Sequence, residues 1–111
     1  MSKFALTLAA LFVITLLGAC SKGPENEDAL MKAGLDALYT RGDPNAAAAQ
    51  FRKVLERNPN HYGANFQLAM ALDRAGKPAE ARPLWKQVLK MAESSNDKLR
   101  ADTARARLQQ P

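Results

Sequence analysis

The stretch ALYTRGDPNAAAAQFRKVL, residues 37–55, returns 34 positions later as ALDRAGKPAEARPLWKQVL, residues 71–89. No gap is needed to lay one on the other. Ala37 falls on Ala71, Leu38 on Leu72, Gly42 on Gly76, Pro44 on Pro78, Ala47 on Ala81, Phe51 on Trp85, Val54 on Val88 and Leu55 on Leu89. Within each copy, apolar residues recur at helical spacing and a glycine stops one helix. A proline then opens the next in its first turn, where the missing amide costs nothing. An internal period of this length marks a stack of helix pairs, each burying its apolar face only against its neighbours.

Working outward, the pattern predicts an all-α chain. A first helix covers about Glu27–Arg41, stopped by Gly42, and a second runs from Asp43-Pro44 to about Arg57, with Asp43 as its N-cap. Asn58-Pro59-Asn60 breaks the chain before a third helix, about His61–Ala75, stopped by Gly76. A fourth spans about Pro78–Ala92, with Pro83 expected to remove one hydrogen bond and give a mild kink. The last covers about Asp97–Gln109.

These helix pairs resemble the tetratricopeptide repeat. The resemblance covers residues 27–93, as two units of about 28–61 and 62–95, followed by a capping helix at 96–109. It implies a fragment of a right-handed α-solenoid. Ala47 and Ala81 would sit where paired helices cross closely, with Phe51 and Trp85 filling the space between pairs. The sequence departs from the pattern in three places. Gly34 and Leu35 stand in swapped order, neither unit has the early tryptophan, and Glu93 replaces the second proline. In the last helix Leu99, Ala101, Ala104, Ala106 and Leu108 are expected to face inward, with Arg100, Asp102, Arg105 and Arg107 toward solvent. Two pairs are few for a stacked array, where about three are the norm, so self-association or docking on a partner would help the fold.

The first twenty residues carry an address. Met1-Ser2-Lys3 is followed by a charge-free apolar run from Phe4 to Leu17, then by Gly18-Ala19-Cys20 and an abrupt change to polar residues. This is the layout of a secretory signal peptide, and the run falls short of the ~20 apolar residues of a spanning helix. Leu17-Gly18-Ala19-Cys20 resembles a bacterial lipobox. The resemblance implies a leader at 1–19, a lipid on Cys20, whose thiol is the most nucleophilic side chain nearby, and a flexible tether at 20–26. The alternative is an uncleaved anchor with an incidental cysteine. Ser21 after the cysteine, where aspartate would favour inner-membrane retention, points to the outer membrane facing the periplasm in a two-membrane bacterium.

With 111 residues, one histidine and one cysteine, the chain has no metal-ligand cluster and no disulfide framework. His61 lies in a turn, Glu25 and Glu27 lie on the tether, and the glycines are scattered at turns, so no catalytic set is expected. No cofactor is expected beyond the covalent lipid on Cys20. The net charge of +5 includes a stripe of Arg82, Lys86 and Lys90. It is either a solvated helix face or a surface for an acidic partner or anionic headgroups. Without aromatics to stack bases, nucleic acid is not an expected partner.

Protein binding remains. In tetratricopeptide arrays the first helix of each pair lines a concave groove. Carried over at the 34-residue offset, that groove would comprise Lys32, Asp36 and Tyr39 from the first unit and Phe66, Gln67, Met70 and Asp73 from the second. Phe66 and Met70 either form a small exposed apolar patch or lie under the last helix or the tether. The expected function is a membrane-anchored, non-catalytic adaptor that binds an envelope protein, in assembly of an envelope machine or recruitment of a wall enzyme. The alternative is a structural subunit that works by self-association.

Overall fold

The computed structural model describes residues 26–111; the expected leader at 1–19 and all of the expected lipidated cysteine and tether at 20–26 except Asn26 lie outside the described residues. Among the described residues five α-helices follow one another: α1 (Glu27–Leu35), which runs on into a π-helical turn (Asp36–Thr40), α2 (Pro44–Arg57), α3 (Tyr62–Arg74), α4 (Pro78–Ser94) and α5 (Lys98–Gln109). There is no strand among the described residues. Each helix packs on the next, α1 on α2, α2 on α3, α3 on α4 and α4 on α5. The result is a two-layer zigzag with α1, α3 and α5 in one layer and α2 and α4 in the other.

Local chemistry sets the starts. The Asn26 side chain accepts from Asp28 N at 2.9 Å, Asp43 from Ala46 N at 3.1 Å, His61 Nδ1 from Ala64 N at 3.0 Å and Asp97 from Arg100 N at 3.2 Å. Each satisfies an amide that a helix start leaves without a partner. His61 is thus an N-cap.

The stops are alike as well. Gly42, Gly76 and Asn96 adopt φ of 62°, 76° and 53°. After Gly76 and Asn96 the next amide closes the helix end, Lys77 N on Leu72 O at 2.8 Å and Asp97 N on Ala92 O at 2.9 Å. After Gly42 the corresponding bond reaches one residue further back, from Asp43 N to Ala37 O at 2.8 Å.

The π-helical turn accounts for that extra residue, and the sequence did not reveal it. Gly34 lies against the Phe51 ring, where an added Cβ would stand 2.5 Å from the nearest ring carbon. The close crossing in the first unit therefore falls on Gly34, eight residues before Gly42, whereas Ala69 lies seven before Gly76. The wider turn absorbs the additional residue. This explains the swapped Gly34-Leu35 order physically. It also corrects the expectation of a regular α-helix through Arg41.

The core follows the internal period. Ala47, Phe51, Val54, Ala81, Trp85 and Val88 are all buried, with Phe51 and Trp85 the largest side chains sealed from solvent. Leu30, Val54 and Ala64 form a smaller cluster joining α1, α2 and α3. Pro83 leaves α4 unbroken from Pro78 to Ser94. The carbonyl it deprives of an amide, that of Ala79, lies on an exposed first turn where water can take its place.

α5 is turned differently from its sequence expectation. Ala101 and Ala104 are buried, Leu108 packs on the core from the edge, and Leu99 is 78% exposed. Arg100 turns inward, its guanidinium 4.9 Å from the Tyr62 ring centroid and 5.0 Å from that of Phe66. Two residues along a helix are about 200° apart, so a stripe through Ala101 and Ala104 cannot also include Leu99.

Candidate protein-binding surface

α1, α3 and α5 present their outer faces on one side of the zigzag, and the residues expected to line a groove divide into separate groups there. Phe66 and Met70 on α3 form the floor of a recess of about 480 Å³, walled by Asp97, Leu99, Arg100, Thr103 and Arg107. Both floor residues are half-buried. Phe66 meets the buried Trp85 edge-on, with centroids 5.7 Å apart, and Arg100 covers its other side. The patch is therefore neither fully open nor sealed. α5 roofs part of it and contributes Leu99 to its rim.

Lys32, Asp36 and Tyr39 lie elsewhere, on the outward face of α1 with Asp28, Met31 and Leu35. The boundary between the two groups is a bridge from α1 to α3. The Tyr39 hydroxyl donates to Gln67 Oε1 at 2.9 Å, and Arg74 stacks on the Tyr39 ring at 4.9 Å. Gln67 is thus part of the divide. Asp73 holds the layers together: its Oδ2 accepts from Trp85 Nε1 at 2.8 Å and lies 3.7 Å from Arg107. Its side chain is only 15% exposed.

Sequence comparison at a constant offset missed Met31 and Leu35. Upstream of the π-helical turn the offset between α1 and α3 becomes 35, which sets Met31 on Phe66 and Leu35 on Met70. All four are half-buried. The signal that could have found them is the displaced small residue, Gly34 against Ala69.

α5 is held by a polar cluster at its start. Asp97 accepts from the Tyr62 hydroxyl at 2.9 Å and pairs with Arg100 Nη1 at 3.1 Å. The Arg100 amide, the Tyr62 hydroxyl and the Arg100 guanidinium hold the Asp97 carboxyl below the ordinary aspartate value. Burial, then Asp97, pushes the Tyr62 hydroxyl up. At the other end Arg82 reaches over from α4, donating to Leu108 O at 2.9 Å and Gln110 O at 3.4 Å. These carbonyls carry the negative end of the helix dipole, so Arg82 is drawn out of the expected basic stripe.

Among the described residues no group of three His, Cys, Asp or Glu side chains could hold a metal ion. No helix there is long and apolar enough to cross a membrane. The tetratricopeptide repeat family model matches residues 32–98 and, in a second register, residues 66–111. The chain is a tetratricopeptide repeat protein. No curated protein and no solved structure matches it significantly. The second register carries the family pattern through α5, which stands to α4 as α3 stands to α2. At an offset of 36, Asp97 falls on the N-cap His61, and the buried Ala101 and Ala104 fall on the buried Asn65 and Leu68. In this tetratricopeptide repeat protein, then, the last helix supplies the first half of a third unit. Its inner side extends the surface that α1 and α3 begin. Such repeats generally mediate protein–protein interaction and are typically non-catalytic.

Proposed function

We propose that this tetratricopeptide repeat protein is a lipid-anchored, non-catalytic adaptor that holds a protein partner at a bacterial cell envelope. The partner would belong to envelope-machine assembly or to wall-enzyme recruitment. The observation that carries the binding reading is the recess between α3 and α5. It combines an apolar floor, Phe66 and Met70, with the exposed Leu99 on its rim and arginines on its walls. An apolar side chain of a partner segment entering it would gain about 25 cal/mol per Å² of surface removed from water. Arg100 and Arg107 would favour acidic neighbours in the same segment.

Anchoring is supported by the sequence Leu17-Gly18-Ala19-Cys20 at the end of an apolar run. Two or three acyl chains at about 0.8 kcal/mol per buried CH₂ far exceed the marginal binding of one chain, so attachment would be stable. Ser21 favours the outer membrane of a two-membrane bacterium.

Two measurements test these parts separately. A photo-crosslinking residue replacing Leu99 in the full-length protein, in its native cell, should capture one dominant foreign protein. Yield no higher than from a control at Arg105 overturns the adaptor reading. Cys20→Ser should abolish lipidation and release the chain from the membrane fraction. Normal processing and unchanged fractionation overturn the anchor.

A further inference from the structure

The two ends of the array differ in chemistry. Beyond α5 the surface is a network of charges: Asp102 pairs with Lys98 at 2.7 Å and Arg105 at 3.2 Å, and Arg105 also reaches Glu93 at 3.2 Å. That end suits water. The outward face of α1 is of another kind. Asp28, Lys32 and Leu35 on α1 and Tyr39 on the π-helical turn line it, together with Met31 and Asp36. Tyr39 is 51% exposed, Lys32 and Asp36 are exposed, and Met31 and Leu35 are half-buried against the core, leaving their outer sides at this face.

The face is complementary to itself. Turned end for end about a two-fold axis through its midpoint, near residues 33 and 34, it sets Met31 against Leu35 of the second copy and Leu35 against Met31. The same rotation sets Lys32 against Asp36 and Asp36 against Lys32. Lys32 and Asp36 are one turn apart and lean to the same side of the face, and a two-fold axis perpendicular to the helices brings like sides together. Both are exposed. Among the described residues Lys32 has no ion-pair partner, while Asp36 has only an exposed contact with Arg41 at 3.3 Å.

We infer that the outward face of α1 docks on the same face of a second copy of this chain, forming a closed antiparallel pair. The polar end at α5 does not match the α1 face, so this contact closes on itself and does not propagate head to tail. One helix face makes a small interface, so pairing is weak in dilute solution. It becomes favourable where chains are concentrated. The face shares no lining residue with the recess at Phe66, so the inference does not rest on the adaptor reading.

The test uses the full-length protein in its native cell, with a photo-crosslinking residue at the exposed Thr40. The expected product is a covalent dimer of the chain. Lys32→Glu sets two acidic side chains opposite each other at both symmetric contacts, and Asp36→Lys sets two basic ones. Each variant alone should cut dimer yield by at least about fivefold. Co-expressed under different tags, the two should crosslink to one another and not to themselves, because every contact is then between opposite charges. The double variant in one chain should likewise recover the dimer. A link confined to a single chain, a dominant foreign protein at Thr40, yields that ignore the charge changes, or failure of both rescues would each overturn the pair.

Discussion

The two complete repeats share a plan and differ in how their first helices are finished. α3 is a regular α-helix whose close crossing uses Ala69, whose end closes on Leu72 O, and whose outer face is partly roofed by α5. α1 has its crossing at Gly34, one residue further from its stop glycine, and it widens into a π-helical turn before the chain reverses. Downstream of that turn the copies are again in phase, Ala37 with Ala71 and Leu38 with Leu72. The pairing of Ala47 with Ala81 and Phe51 with Trp85 is thereby kept. The comparison teaches that packing between helices is the fixed quantity. The backbone period yields to it.

The strongest way to probe the comparison is to empty the equivalent core positions. Trp85→Ala removes a sealed side chain and leaves Asp73 without its indole donor, so a loss of about 4 kcal/mol is expected, within the ~3–5 kcal/mol of such truncations. Phe51→Ala, with no hydrogen bond to break, should fall nearer about 3 kcal/mol. Urea unfolding followed by circular dichroism measures both, and a reversed order would argue against the Trp85–Asp73 bond as a contributor.

The crossing residues come next. Gly34→Ala forces a methyl against the Phe51 ring, which is buried and has nowhere to go, for an expected cost of about 1–3 kcal/mol. Ala69→Gly in the other repeat should cost about 1–2 kcal/mol, the conformational term plus one buried methyl. Equal midpoints for the two variants in thermal melts would mean that the crossings are alike after all. The stop glycines should behave as a matched pair. Gly42 and Gly76 both have positive φ and nothing within 4 Å of an added Cβ, so alanine at either should cost about 1 kcal/mol, from backbone strain.

The smallest effect concerns α5, which roofs only the second repeat. Asp97 and Asp102 are held below the ordinary value of 3.8 by the groups bonded to them. A depressed carboxyl contributes stability that is fully present above the unfolded value and is lost as pH falls through the folded one. Acidification below about pH 4 should therefore raise amide exchange in α5 before it does so in α1, read by hydrogen exchange and mass spectrometry. Simultaneous loosening of both helices would show that this cluster does not anchor α5.

Legibility in the sequence followed the range of the interactions. Caps, stop glycines and the 34-residue coincidences depend on residues a few positions apart, and Asp43, Gly42, Gly76, Phe51 and Trp85 do what their spacing implied. The π-helical turn left only a faint trace, Gly34 ahead of Leu35, because its cause is the Phe51 ring on another helix. Arg100 and Leu99 were assigned opposite faces from those they occupy, since hydropathy ranks a guanidinium as solvent-facing and ignores its flat stacking on Tyr62 and Phe66. At the candidate surface, the sequence pointed to Phe66 and Met70 but left open whether they are exposed or covered; they are half-buried and line one recess. The division of that surface was not legible, because the Tyr39–Gln67 bridge spans two helices.

One widened turn also bears on how such a chain tolerates change in length. Adding a residue inside a regular helix rotates everything after it by about 100°, turning core positions toward solvent. Between Asp36 and Thr40 the backbone spends one more residue within a single revolution, so the face presented downstream is unaltered. A helix equipped in this way can gain a codon and keep its buried side buried. The first repeat therefore marks a place where insertion and fold coexist.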